Sequence, residues 1–389
     1  MKIAIVGKGT SAIITTLVCL SEGHWVNVYY DPESSHLNVG ESTLPQIGQL
    51  VFDVLGISIS DMLEEDIVSL KSGVKFIDWG VGKSFYSNFQ SAFAFHFNTS
   101  RFNSFINDNL KKNGWARYIP YKVDSYKEKG DVVEINGEIY DFVIFCSGWN
   151  DDEYQRPLLN TVNSAVLYKK DSVDVDSTYT IHQATEDGWE FGLPFPKDGI
   201  TKCGYLYDRD RISSEEVVEK LSHKGDVRKI EWTPQFSKRL IKNKNCAYSG
   251  NRLFFVEPLQ ALSLYYYYEF AREICQYLKE KNKKSFVQSN YRYQYEIWTY
   301  QLSLALHYRY GSIYNTSYWK DIEEDSKRIM SLPNGEIDTH ITHMIGDLVN
   351  KDMTLSNIGC FEAKDIQKIH CGMTDTSLQD LLDEYDFYE

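Results

Sequence analysis

KIAIVGKGTSAIITTLVCLSEGHWVNVYYD, residues 2–31, is the stretch that decides the fold. KIAIV is a short β-branched apolar run, GKG a glycine turn and TSAIITTLVCL an apolar helix, and VNVYY supplies the next strand about twenty residues on, which makes a βαβ start. Gly7, Gly9 and Ala12 spell G-x-G-x-x-A. The first glycine permits a tight turn, the second lets backbone approach a pyrophosphate, and the alanine lets helix and strand pack closely. The first helical turn, through Thr10 and Ser11, offers N–H groups to the phosphates, and Asp31 is placed to accept hydrogen bonds from a ribose.

Working outward, QLVFDVLGIS and SDMLEEDIVSL between about residues 50 and 70 predict helices, with Ser60 or Asp61 as a cap, and VKFIDWG predicts a strand. RFNSFINDNLKKNG is an amphipathic helix ending at Gly114. DVVEINGEIYDFVIFCSG is a hairpin turning at Asn136-Gly137, followed by an apolar strand that runs from Asp141 to Gly148. FAD and NAD share the opening fingerprint. This returning strand and its small-residue turn fit flavoproteins of the reductase and hydroxylase group, and no second NAD fingerprint occurs, so FAD is the expected cofactor and its reducing equivalents come from elsewhere. Strand-like stretches fill about 164–207 and a helical third follows from about 258.

The expected architecture is α/β, an FAD-binding dinucleotide fold of Rossmann-like, glutathione-reductase/hydroxylase type. Without repeats or low-complexity linkers, its parts are interleaved in sequence. The FAD-binding part takes residues 1–50, 95–150 and 240–280, a substrate part takes 51–94 and 151–239, and a helical C-terminal region takes 281–389. The last forty residues, acidic at their end, read as peripheral.

The chain has 389 residues, 42% hydrophobic and 25% charged, which suits a large buried core. A formal charge of -14 disfavours a nucleic acid or an anionic membrane surface as partner. Gly7 and Gly9 interrupt the apolar N-terminus, so no signal peptide or membrane span is expected. Seven scattered cysteines without a C-x-x-C pair suit a reducing compartment, and the expected location is cytoplasmic. His340 and His343 lie three apart but nothing nearby completes a metal site, so no metal is expected. Aromatic residues, 14% of the chain, suffice to wall a planar substrate, and a homo-oligomer is compatible with the sequence.

Several separated motifs resemble the flavin-dependent tryptophan halogenase family. NVGESTLPQI is similar to a G-E-A-T-x-P segment beside the flavin: Gly40, Glu41, Thr43 and Pro45 match, and Ser42 replaces alanine. LKSGVKFIDW is similar to a lysine followed by K-F-x-N-W, which places the family's active lysine on Lys71 and its second lysine on Lys75. GWEFGLPF resembles G-W-x-W-x-I-P, keeping Gly188, Trp189 and Pro194, with Phe191 for the second tryptophan. AFHFNTSRFNSFI resembles a Y-H-F-D helix start with Asn98 for the aspartate, and GYLYD, His307-Tyr308 and Trp319 are also similar. FFVEPLQALSLYY resembles F-V-E-P-L-E-S-T-G-I-Y-F, but Gln260, Ala261, Leu262 and Ser263 stand for E-S-T-G.

The resemblance implies an enzyme that uses FADH2 from a separate reductase, oxygen and a halide ion to halogenate an electron-rich aromatic such as an indole. It implies catalytic roles at Lys71 and Gln260, halide at Leu262 and Ser263, cofactor contacts at Gly40, Glu41, Ser42 and Thr43, and a wall between flavin and substrate at Trp189, Phe191 and Pro194. A lysine suits the last step, because it can hydrogen-bond hypohalous acid or bind the halogen as a haloamine. Gln260 cannot take a proton at neutral pH, which leaves Glu257 and Glu41 as alternative acids. Leucine and serine in place of threonine and glycine are expected to restrict the halide loop's backbone. Two other readings stay open: a flavin monooxygenase that uses no halide, and a catalytically degenerate flavin-binding homologue.

Overall fold

The opening strand Lys2–Val6 lies inside a six-stranded sheet ordered Ile241–Asn243, Cys246–Tyr248, Phe142–Phe145, Lys2–Val6, Trp25–Tyr30, Ala116–Pro120. All neighbours are parallel except Ile241–Asn243 against Cys246–Tyr248. Ile3, Ala4, Ile5 and Phe142 to Ile144 are wholly buried, the burial on both faces that continuous β-branched runs produce in a parallel sheet. Helices Thr10–Ser21 and Leu262–Glu280 pack on each other beside it. In the hairpin, Asn136 and Gly137 both have positive φ, 50° and 79°, as the two-residue turn requires.

This computed structural model describes residues 1–34, 40–89, 93–147, 154–173, 176–221, 225–331, 361, 363–377 and 380. The chain divides into two units, one of Met1–Lys71, Ala92–Arg156 and Thr233–Tyr295, the other of Ser72–Ser91, Pro157–Trp232 and Glu296–Glu389. Residues 51–71 thus group with the dinucleotide sheet. Among the described residues no helix is long and apolar enough to cross a membrane.

Two local readings need correction. The helix after residue 58 is Ile59–Glu64, capped by Ser58 rather than Ser60 or Asp61: the Ser58 hydroxyl accepts from Asp61 N–H at 3.1 Å, while the Asp61 carboxylate accepts from Ser58 N–H at 2.6 Å. This reciprocal capping box uses Asp61 at the third helical position. The following Val68–Lys71 is a strand, not helix, because it pairs with Ala94–Asn98.

The second unit is built on seven strands in the order Arg228–Glu231, Ser164–Lys170, Ile200–Tyr207, Gly188–Phe195, Tyr179–Thr185, Gly73–Ile77, Phe85–Asn88. One face is covered through Val166, Tyr205 and Tyr207, which pack with Ile212 and with Val217 of helix Ser214–Leu221. The opposite face carries Phe76, His182 and Trp189, whose rings lie 5.4 Å (Phe76 to His182) and 4.8 Å (His182 to Trp189) apart. Trp79 stands 5.3 Å from both Tyr308 and Trp319 in the same buried cluster. Residues read from sequence as scattered family marks are therefore one aromatic core.

The last forty residues are not wholly peripheral. In helix Ala363–Thr374, Ile366, Ile369 and Met373 are at most 1% exposed, an i, i+3, i+7 stripe that the acidic tail masks in a reading by composition. The helix backbone comes so close that a Cβ on Gly80 would lie 2.0 Å from the Met373 carbonyl oxygen.

His307 is wholly buried in the aromatic core, its Nδ1 2.6 Å from the Ser303 carbonyl oxygen, and burial lowers its pKa to about 4. Because this folded value lies below the unfolded one, the unfolded chain gains a proton first, so stability is lost as pH falls below about 6.5. The loss is about 1.4 kcal/mol per pH unit and about 3 kcal/mol by pH 4. A His307→Phe variant should lose less thermal stability than the wild type between pH 7 and 4.5; equal losses in paired melting curves would contradict the buried neutral imidazole.

Candidate active site

The cradle at the first strand fits a dinucleotide. Gly7 has φ +138, and a Cβ there would sit 3.2 Å from the Cys146 side chain, where the returning strand ends. Gly9 caps helix Thr10–Ser21 in extended backbone, and among the described residues no side chain caps the helix, whose first-turn N–H groups have no intrahelical acceptor. Ala12 is 2% exposed, the close helix packing its small side chain allows. Gly250, which sequence reading missed, has φ +62, and a Cβ there would lie 2.2 Å from the Ser11 hydroxyl. Asp31 accepts from Glu33 N–H at 2.9 Å through Oδ1, which fixes the turn that follows the second strand. Gly148 lies outside the described residues.

A three-stranded sheet of Gly40–Ser42, Ala94–Asn98 and Val68–Lys71 organises the lysine. Ser42 pairs with His96 and His96 with Ser69, so these three share a face, and Lys71, two residues beyond Ser69, joins them. Lys71 is wholly buried, and its Nζ donates to Ser42 Oγ and to the Thr43 carbonyl, each at 3.2 Å. Thr43 is itself pinned, donating its N–H to the Phe95 carbonyl at 2.9 Å and accepting from Phe95 N–H at 3.1 Å. His96, a neighbour sequence reading passed over, is also wholly buried; burial and the charge of Lys71 hold its pKa well below the usual histidine value. Its imidazole is neutral at pH 7.

Glu41, between Gly40 and Ser42, points to the opposite face. Its Oε1 accepts from the hydroxyls of Thr10 at 3.3 Å and Thr99 at 3.1 Å. The carboxyl keeps a narrow opening to solvent but is ringed by protein, and this desolvation outweighs the two hydroxyls and pushes its pKa up to about 7. The strand that supplies Lys71 with a hydrogen-bond partner therefore turns Glu41 away from it. On the same strand system Asn98 caps helix Thr99–Lys112 by accepting from Ser100 and Arg101 N–H, the task an aspartate would perform.

In the altered loop, Glu257 is wholly buried and Gln260 is 7% exposed. The left-handed residue is Gln260, with φ 55 and ψ 15; Leu262 and Ser263 lie in helix Leu262–Glu280, so the expected backbone restriction falls one turn earlier than at Ser263. Leu262 is 1% exposed, and the Ser263 hydroxyl is buried with no hydrogen-bond partner among the described residues. In the second unit Trp189 is wholly buried, its indole N–H has no hydrogen-bond partner among the described residues, and Phe191 is partly exposed where it lies over Gly204. Pro194 is buried at the far end of that strand. Lys75 ion-pairs with Asp176 at 2.6 Å. No cluster of three or more potential metal ligands occurs among the described residues, and His340 and His343 lie outside them.

Gly7→Ala should weaken FAD binding at least about fivefold, since left-handed strain and the Cys146 contact together cost on the order of 1–3 kcal/mol. Fluorescence titration with oxidised FAD checks this, and an unchanged affinity would remove Gly7 from the cradle.

The tryptophan halogenase family model matches residues 2–93 and 90–339. Tryptophan 7-halogenase KtzQ of Kutzneria sp. (strain 744) is 21% identical over 374 residues, covering 72% of this chain and 70% of the relative. Among solved structures, a tryptophan halogenase from Shewanella frigidimarina NCIMB 400 aligns with a TM-score of 0.79 at 18% identity, covering 100% of this chain and 94% of the other. BrvH, a flavin-dependent halogenase from Brevundimonas sp. BAL3, gives 0.79 at 16% identity, covering 96% and 89%. At such identities the structures establish the shared fold. The family match spans most of the sequence, and the chain belongs to the tryptophan halogenase family.

Proposed function

We propose that the chain is a two-component, FAD-dependent halogenase that delivers oxidised halogen through Lys71 to an indole or a similarly electron-rich ring. The observation that carries this reading is the wholly buried Lys71 amine, held by Ser42 Oγ and the Thr43 carbonyl beside a neutral histidine. When bound, FAD reduced by a separate reductase supplies, with oxygen, the oxidising equivalents that turn halide into hypohalous acid.

The chain's own residues hold and aim that oxidant. The fixed Lys71 amine donates a hydrogen bond to hypohalous acid, or exchanges an N–H for an N–halogen bond with release of water; the ring carbon then takes the halogen and loses its proton. Halide itself suits the start of helix Leu262–Glu280, where first-turn N–H groups and the buried Ser263 hydroxyl favour an anion. Gln260 can donate and accept hydrogen bonds there but holds no exchangeable acid. Phe191, partly exposed on the second unit's sheet, is the ring that fits a wall toward substrate; Trp189 backs it from within the core.

Purified protein supplied with a flavin reductase, FAD, NADH, bromide or chloride and a panel of indoles should give products with a halogen isotope pattern. Products carrying only an added oxygen would instead support a monooxygenase. Lys71→Ala should cut halogenation by about a thousandfold or more, on the scale of losing a residue that acts on the reacting atoms, while oxidised FAD binds as in the wild type; retained halogenation would remove the lysine from the chemistry. Ser263→Ala should raise the KM for halide about ten- to a hundredfold, as loss of one hydrogen bond to an anion costs about 1.5–3 kcal/mol, with FAD affinity constant. An unchanged halide KM would move the ion elsewhere.

A further inference from the structure

The three-residue strand Gly40–Ser42 faces two ways, and the side turned from Lys71 poses its own question. Glu41 is a carboxyl enclosed by Thr10, Thr99 and, through Thr10, Asn103, whose Oδ1 accepts from the Thr10 hydroxyl at 3.3 Å. Among the described residues no cation pairs with it. Lys71 and His96 stand on the other face of the sheet, Arg101 reaches the Asp66 carbonyl at 3.5 Å, and Lys8 lies over the Tyr30 ring at 4.6 Å. The phenylalanines on Glu41's own face, Phe95 and Phe97, are wholly buried and apolar. A carboxyl in such surroundings normally has a cation or loses its charge.

Its position gives that isolation a consequence. Thr10 is the first helical residue after the Gly9 cap, so Glu41 is hydrogen-bonded to the helix end where a dinucleotide's diphosphate binds. We propose that Glu41 is a proton-linked contact for the dinucleotide: its carboxyl takes up a proton as the diphosphate settles at the start of helix Thr10–Ser21. The proposal rests on the FAD reading above. The arriving diphosphate is a second anion beside a carboxyl already desolvated by protein, and it cannot itself be neutralised at this pH, so its charge raises the carboxyl's proton affinity further and the carboxyl takes the proton. With a free-protein pKa of about 7, the carboxyl has little left to gain in acid and nearly a full proton to gain in mild alkali.

Calorimetric titration of oxidised FAD into the wild-type chain, in two buffers of different ionisation enthalpy, reads this directly. The expected result is uptake approaching about one proton per FAD at pH 8 and about a tenth at pH 6, with the Kd rising several-fold per pH unit above neutrality. Glu41→Gln should abolish the uptake and flatten the pH dependence. Tight binding without uptake at pH 8, or the same uptake in Glu41→Gln, overturns the proposal while leaving the FAD reading intact; no FAD binding at any pH overturns both. Should the variant fail to fold, infrared difference spectra of the wild type decide. Gain of a protonated carboxyl band on FAD addition at pH 8 supports the linkage, and its absence overturns it.

Discussion

A lysine amine with no access to bulk water must be held by protein hydrogen bonds, and the arrangement of the first unit's site follows from that requirement. Lys71 ends a short strand, and the acceptors that reach it come from Ser42 and Thr43 at the end of another. Those acceptors stay in place because Thr43 is tied to Phe95 on the central strand through both its N–H and its hydroxyl. The β-sheet's two-residue period does the rest. With Ser42 committed to the lysine, Glu41 must face the dinucleotide helix, and the same short segment serves two neighbourhoods of opposite chemistry.

The glycine turn after the first strand was legible from sequence because its requirement is local. Gly7, Gly9 and Ala12 lie within one turn, and the positive φ of Gly7 is what a glycine in that place announces. Lys71 was legible only through a resembling motif, since nothing in LKSG predicts burial and the run before it reads as helix. Pairing with Ala94–Asn98 made Val68–Lys71 a strand, a long-range choice that local propensity does not contain. His96 and Gly250 went unnoticed for the same reason: each gains meaning from a partner far along the chain, Lys71 for one and Ser11 for the other.

The aromatic motifs teach a different lesson. Trp79, Trp189, Tyr308 and Trp319 are separated by up to 240 positions yet meet in one core of the second unit, with the Trp319 indole donating to the Thr185 carbonyl at 2.7 Å. Their recurrence in a family pattern is accounted for by packing before any catalytic role is assigned. Phe191, beside Gly204, is the partly exposed aromatic of that strand. At the loop of Gln260, where the sequence reading found E-S-T-G replaced, the backbone holds a left-handed glutamine.

A crystal structure of the chain with FAD and bromide, read through bromide's anomalous scattering, tests the central claim most directly. The account predicts a Lys71 amine shielded from bulk water and bonded to Ser42 and Thr43, with the bromide at the start of helix Leu262–Glu280 beside the Ser263 hydroxyl. A Lys71 amine standing in bulk solvent, or a bromide bound only away from that helix end, would contradict it.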